Sequence, residues 1–391
     1  MTQTRTFTKI PSIDSIVERI GVDVLALHAA DVDAKARFPI EAITAMRQQG
    51  LLGAYVPVSS GGLGVDFQTL CAISEKLGGH CASSAMIFAM HQIQVACLVH
   101  HAGNTAYEAD LLRSIADRQL LLASATTEIG TGGDLGASIC AATLSADGSR
   151  LRIDKMAPVI SYGSQADAIM VTARSHPEAT GNDQVHVFVE KQDLSLDPIS
   201  TWDSLGFRGT CSLGYHLIAD VPKEHLQPVP FSQILSQTMQ PVAHLLWGSL
   251  WLGLAQDSAS IARRAVRASA KKAEVPLTTQ LRLAELDEAL FKMRSTLHDA
   301  IGRYQNIVST KSWQKANAFS FGIAMNNVKL VCSEAVVDIV GKALMIAGIN
   351  GYRNDHESAL GRHLRDAYGA MLMVNNDRIR SHNAAMQLAQ R

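Results

Sequence analysis

Paired cysteines, excess charge and long apolar runs are all scarce in this chain, and each scarcity closes off a class of protein. The six cysteines, at 71, 81, 97, 140, 211 and 332, include no Cys-x-x-Cys pair. That speaks against a disulfide frame or a zinc site and for reduced, buried thiols in a cytoplasmic protein. No group of residues has metal-ligand spacing, so no metal is expected. Lys and Arg number 35 against 36 Asp and Glu, a net charge of −1. Such a balance gives no field for general binding to nucleic acid or a membrane surface. The first nine residues lack an apolar core, so no secretory signal is read there. No run reaches the ~18 uncharged apolar residues of a membrane span. The most apolar segment, Val242 to Ala255, is interrupted by His244 and reads as a buried helix.

What is present suits a well-packed enzyme. Hydrophobic residues make up 47% of the 391 and charged residues 18%, a composition that argues against disorder and leaves room for two or three domains. Residues 1–118 read as helical: Ser12 caps an amphipathic run, Pro39 opens another, and Phe67 to Leu77 and Ala82 to His100 are rich in small and apolar residues. Tyr55 to Gly64, with Pro57 and three glycines, is a loop. From about 119 the period changes. Asp147-Gly148 between alternating runs signals a hairpin, and 168–174, 185–190 and 213–220 read as strands. Residues 119–233 form a β-domain. From 234 to 391 the helical period returns: Leu283, Leu286, Leu290, Met293, Leu297 and Ile301 form one stripe of a bundle helix. Asn317 to Ala347 is a second long helix, and Arg362 to Gln390 a third.

The most informative stretch runs from Leu121 to Ser138. An apolar run ends in Thr126, Thr127 and Glu128, and a loop with glycines at 130, 132, 133 and 136 comes next, carrying Asp134. Glycines let main chain approach a ligand closely, and threonine hydroxyls add directional hydrogen bonds. A plain glycine-rich turn is the competing explanation. The Gly-x-Gly-x-x-Gly of 130–136 is not a dinucleotide fingerprint, because the residues after Gly136 are strand-like rather than a helix in a βαβ unit.

Thr127-Glu-Ile-Gly-Thr-Gly-Gly-Asp134 resembles the flavin-contacting loop of acyl-CoA dehydrogenases, and other segments agree in order. Gly50-Leu-Leu-Gly-Ala-Tyr-Val-Pro57 with Gly61-Gly-Leu-Gly64 is similar to that family's N-terminal signature. Ile160-Ser-Tyr-Gly-Ser-Gln-Ala-Asp167 resembles its second flavin segment. Leu205-Gly-Phe-Arg-Gly-Thr210 and Asp220-Val-Pro-Lys-Glu-His-Leu226 resemble the end of its β-domain. Gly348-Ile-Asn-Gly-Tyr352 and Arg362-His-Leu-Arg-Asp366 resemble its C-terminal motif. The resemblance spans roughly residues 15–380. It implies an α+β fold of N-terminal helical domain, central β-domain and C-terminal four-helix bundle, bound FAD, and a homotetramer or homodimer.

By the same resemblance, Thr126, Thr127 and Ser161 face the flavin ring, Gly133 takes the place of a serine near the pyrophosphate and substrate, and Gly348 belongs to the C-terminal flavin motif. The departures are equally specific. Val159 stands where the family has a tryptophan over the flavin. Arg267-Ala-Ser-Ala-Lys-Lys-Ala-Glu-Val-Pro-Leu277 replaces the Arg-x-x-Phe-Gly that reaches a neighbouring subunit's flavin, and Met345-Ile-Ala-Gly348-Ile replaces Gln-x-x-Gly-Gly. These changes touch the adenine and pyrophosphate end, so FMN is an alternative to FAD. The family's catalytic glutamate, which takes a proton alpha to a thioester carbonyl, falls on Val374, and the alternative position on Ala243. His244 is the nearest titratable substitute and the candidate base; its other reading is a core histidine bonded to a main-chain carbonyl. The expected activity is α,β-dehydrogenation of an acyl thioester, carried by coenzyme A or an acyl-carrier protein, with a flavoprotein or oxygen as electron acceptor. Two alternatives stand beside it: a flavin monooxygenase on the same fold, which needs no alpha-proton base, and a non-catalytic binding or assembly subunit.

Overall fold

The computed structural model describes residues 12–103, 105–271 and 274–389; the N-terminal nine residues read above lie outside them. The first helical block comprises α1 (Ile13–Ile20), α2 (Ala26–Ala34), α3 (Ile40–Gln48), α4 (Phe67–His80), α5 (Ala82–His101) and α6 (Ala106–Arg118). Local chemistry sets its helix starts. Ser12 accepts from the Ser15 amide, Asp66 from that of Thr69 at 2.7 Å, and Thr105 and Glu108 form a reciprocal capping box. Helix α5 is apolar and long enough to cross a membrane by composition, yet almost all of it is packed inside the protein.

The β-block has two sheets. Strands β1 (Leu122–Ala125), β4 (Ala168–Arg174) and β5 (Gln184–Glu190) form one, in the order β1-β4-β5 with β1 parallel to β4. Strands β2 (Thr143–Leu144), β3 (Arg150–Ile160), β6 (Leu194–Pro198) and β7 (Leu213–Pro222) form the other, in the antiparallel order β2-β3-β7-β6. The Asp147-Gly148 turn closes the β2–β3 hairpin: Gly148 adopts a φ of +71°, and Asp147 accepts from the Ser149 amide at 3.1 Å. Along β3 the side chains alternate outward and inward, and this alternation carries Lys155 into the interior. Its Nζ donates to the carbonyl of Thr172 at 2.7 Å, joining the two sheets.

The second helical block begins with α7 (Phe231–Ile234), which runs through a π-helical stretch, Leu235–Met239, into α8 (Gln240–Ala270). Helices α9 (Leu277–Thr310), α10 (Phe319–Ala347), α11 (Ile349–Tyr352), α12 (Gly361–Leu372) and α13 (Asn376–Ala389) complete it. The sequence predicts one helix from 362 to 390. The structure breaks it at Val374, which takes a left-handed φ of +48°, and Asn375 then restarts the helix by accepting from the Asp377 amide at 2.9 Å. Helix α8 crosses α4 with backbones almost touching. A Cβ on Gly253 would lie 1.9 Å from the Glu75 carbonyl oxygen, and one on Gly78 2.3 Å from that of Leu250. The helical and β-blocks share one continuous apolar core.

Candidate functional site

The loop after β1 is tied down at both ends while its middle is left as bare main chain. Thr127 Oγ1 donates to the Val159 carbonyl at 3.4 Å, and the Ile129 amide to that of Met156 at 2.9 Å, which pins the loop's start to β3. Glu128 turns inward. Its carboxylate accepts from the Ser138 hydroxyl at 2.8 Å and from the amides of Ile139 and Cys140 at 3.0 and 2.7 Å, with Lys155 Nζ 3.8 Å away. The carboxylate therefore closes the loop from inside. Between these anchors Gly130, Gly132 and Gly133 take φ values of +100°, +62° and +81°, which side chains rarely adopt.

Ser161 follows the last residue of β3, two positions after the Val159 whose carbonyl Thr127 bonds. Its hydroxyl shares a hydrogen bond with that of Ser212 at 2.8 Å, Ser212 in turn with Thr210 at 2.7 Å, and Thr210 donates to the Phe207 carbonyl at 2.8 Å. Tyr162, at a φ of +45°, is buried and donates to the Leu122 carbonyl at 3.0 Å, fastening the turn to β1. Thr126 keeps its carbonyl within 3.4 Å of the Thr172 hydroxyl. Thr126, Thr127, Ser161 and the glycine loop are thus brought to one end of the β-block. Around them Ile129, Met156 and Val159 are solvent-facing apolar side chains.

Helix α13 supplies a residue that the sequence does not single out. Arg378 Nη2 donates to the Gly132 carbonyl, and its guanidinium occupies the space beside Gly133, where a Cβ would meet Nη1 at 3.4 Å. Nothing local in the sequence announces a contact between positions 132 and 378.

His244 does not join this group. The ring is buried, its Nδ1 is 3.2 Å from the Met325 carbonyl, and it packs on Trp247. Burial first, then the nearby Lys329 charge, pushes its pKa down to about 3. A histidine so placed is neutral at pH 7 but a weak acceptor of protons, and the carbonyl bond is the core role that the sequence left open for it. Gly348 is also remote. It caps the far end of α10, nineteen residues beyond Lys329, or about 28 Å at helical rise, whereas Lys329 itself bonds Asn376 at the start of α13. Within one chain Gly348 therefore lies apart from the loop.

Several other polar residues near these segments have structural roles. His91 bridges the Leu52 carbonyl at 2.7 Å and the Leu122 amide at 3.0 Å. Arg208 bonds the carbonyls of Asp33 and Ser204. Arg365 pairs with Asp33 of its own chain, and the buried Asp366 accepts from the Phe207 amide at 2.6 Å. Asp377 is exposed and bonds Arg380. Among the described residues no group of His, Cys, Asp and Glu is arranged to hold a metal. Of the segment 267–278, residues 272 and 273 lie outside the described ones.

The arrangement fits a flavin: hydroxyls for a polar ring edge, apolar side chains for a ring face, and a glycine cradle that a Cβ would fill. Comparison with known proteins agrees. The family model for the acyl-CoA dehydrogenase N-terminal domain matches residues 13–119, and that for the C-terminal domain residues 247–374. An amino sugar nitrososynthase of Streptomyces peucetius is 24% identical over 86% of this chain and 83% of its own. A probable acyl-CoA dehydrogenase of Bacillus subtilis is 24% identical over 91% of each. Among solved structures, the FMN-bound TdsC of Paenibacillus sp. A11-2 superposes with a TM-score of 0.83 at 17% identity, covering 96% of this chain and 97% of its own. The motif order, the fold and both matched domains lead to one conclusion: the chain belongs to the acyl-CoA dehydrogenase family of flavin oxidoreductases.

Proposed function

We propose that the chain is a flavin-dependent monooxygenase built on the acyl-CoA dehydrogenase fold, with FMN as its cofactor. The observation that carries this reading is the missing base. Valine and alanine hold the two glutamate positions, Val374 sits in a helix break with its backbone left-handed, and His244 is a buried, weakly basic ring bonded to a carbonyl. Dehydrogenation of a thioester needs a group that accepts the alpha proton; oxygen insertion does not. In support, the relatives include a nitrososynthase, and solved structures of the same fold carry FMN in a dibenzothiophene monooxygenase and in KijD3, there beside a dTDP-linked sugar.

In this reading Thr127 and Ser161 orient the ring through their hydroxyls. Met156 and Val159 give it an apolar face in place of the tryptophan, and the glycine loop admits the phosphate. Reduced flavin and oxygen together deliver one oxygen atom to the substrate and release the other as water. The chain's residues have to bind the ring, fix its tilt and exclude bulk water; the Ser161–Ser212–Thr210 hydroxyl chain can hold or pass a proton at the ring edge.

Thioester dehydrogenation is the second reading, favoured by the resemblance to the Bacillus subtilis protein along nearly the whole chain. One experiment separates the two. The FMN-loaded protein is mixed without oxygen with a panel of acyl-CoAs, and its flavin band near the usual ~450 nm is followed. We expect no bleaching, together with consumption of oxygen once the flavin is reduced chemically. Bleaching by any thioester would overturn the monooxygenase reading, and a repeat with His244→Ala would then test the histidine as base.

A further inference from the structure

We propose that Arg378 reads the flavin phosphate, supplying from the same chain the positive charge that the family draws from a neighbouring subunit. The inference rests on the flavin placement argued above and adds a residue and a ligand preference to it. Four observations carry it. The guanidinium lies against the loop at Gly132 and Gly133, the place that the resemblance gives to a phosphate contact. Gly133 holds a φ of +81°, a backbone that the family's serine rarely adopts, and the guanidinium lies along it at ordinary contact distance, 3.4 Å from where a Cβ would stand. Arg378 forms no ion pair among the described residues, whereas its neighbours are committed, Asp377 to Arg380 and Arg380 also to Glu334. It spends one donor on the Gly132 carbonyl, and a guanidinium has five in a planar fork suited to phosphate.

The helix presenting it is held firmly from its other side. Asn376 bonds the buried Lys329 at 2.6 Å, and Asn383 bonds Asn326 and Asn327 at 2.7 and 3.0 Å. Ile379 and Met386 are buried along the same helix, while Arg378 stays exposed. The arginine therefore stands on a fixed support and needs only a side-chain turn to leave the carbonyl for an anion. Where this chain lacks Arg-x-x-Phe-Gly near 267–278, Arg378 gives an alternative source of charge at the phosphate.

FMN and riboflavin differ by the phosphate alone, so they form the test. Both are titrated into the full-length wild-type protein, Arg378→Ala and Arg378→Lys, with binding read from quenching of flavin fluorescence. We expect Arg378→Ala to weaken FMN about tenfold or more, as for loss of a charge-assisted pair, and to leave riboflavin within about twofold. Arg378→Lys, keeping the charge without the fork, should recover part of the FMN affinity. Unchanged FMN binding by Arg378→Ala would overturn the proposal. So would equal loss of FMN and riboflavin, which would make Arg378 a prop for the loop. Wild-type protein that binds neither would bring down the flavin reading together with this inference; binding of both equally would bring down this inference alone.

Discussion

Glu128 belongs to the motif that the sequence offers as a cofactor loop, yet its side chain faces the interior and holds the loop shut. Three donors and a buried lysine depend on it. Glu128→Ala takes the acceptor from those donors and the counter-charge from Lys155, which keeps its bonds to Thr172, and removing one member of a buried pair costs about 3–5 kcal/mol. We expect that loss in denaturant unfolding, with Glu128→Gln recovering part of it through its amide oxygen. Wild-type stability for Glu128→Ala would show that the loop is not closed this way. The contrast between Glu128 and its neighbours marks what could be read in advance. Thr127 and Ser161 carry recognisable local motifs, and the fold does bring them together. Arg378 and Lys155 do not, because their contacts lie 246 and 17 residues away in the chain and depend on which way a helix or strand is turned. Lys155 leaves one trace, a lysine on the apolar phase of an alternating strand. For His244 the sequence offered two roles, base and carbonyl-bonded core residue, and burial with the bond to Met325, which are tertiary facts, favours the second.

Among the elements, the α4–α8 crossing is where sequence and geometry are most tightly coupled. Gly78 and Gly253 are the contact surface itself, each main chain lying where the other's Cβ would go. Ser74 adds a hydrogen bond to the Leu246 carbonyl at 3.0 Å. Gly253→Ala forces backbone against backbone, and overpacking of this kind costs about 1–3 kcal/mol; calorimetry should show a lower melting temperature, and an unchanged one would refute the close approach. Long periodic helices and most strands were legible because their apolar spacing is strong. Three features were not. Strand β1 is only four residues, β6 is a largely exposed edge, and the break at Val374 uses a β-branched residue that ordinarily avoids left-handed backbone.

Taken as a whole, the molecule buries an unusual set of neutral histidines. Burial pushes His91, His101 and His186 down to about 4 and His100 and His244 to about 3. Below their ordinary pKa near 6.5 the unfolded chain takes up protons that the folded one refuses, so stability is full above about pH 6.5 and falls as the pH drops toward 4. Each histidine contributes up to about 1.4 kcal/mol per pH unit in that window. At the alkaline side burial raises the thiols of Cys71 and Cys97, and pushes Cys332 up to about 12. The unfolded thiols ionise first, near 8.5, and stability declines as the pH rises past that value. Lys329, lowered to about 8 by burial, opposes this between about 8 and 10.5. Melting temperatures measured from pH 4 to 10 should therefore peak between about 6.5 and 8.5; a flat acid limb would contradict the burial of the histidines. At the same scale, Ile349, Tyr352 and Leu372 are each at least 70% exposed on the C-terminal helices. We expect light scattering to find a homodimer or homotetramer covering them, and a monomer would leave that apolar surface unexplained.

The contact between Gly132 and Arg378 also places cofactor loading in time. A ribosome adding roughly 5–20 residues per second finishes the glycine loop some tens of seconds before it reaches the arginine. On the assignment of Arg378 proposed above, the loop exists before the group that claims the flavin phosphate does, and tight retention waits until the last helix docks. Newly made protein should pass through a stage that exchanges flavin freely with the surroundings, and docking of α13 would end that stage.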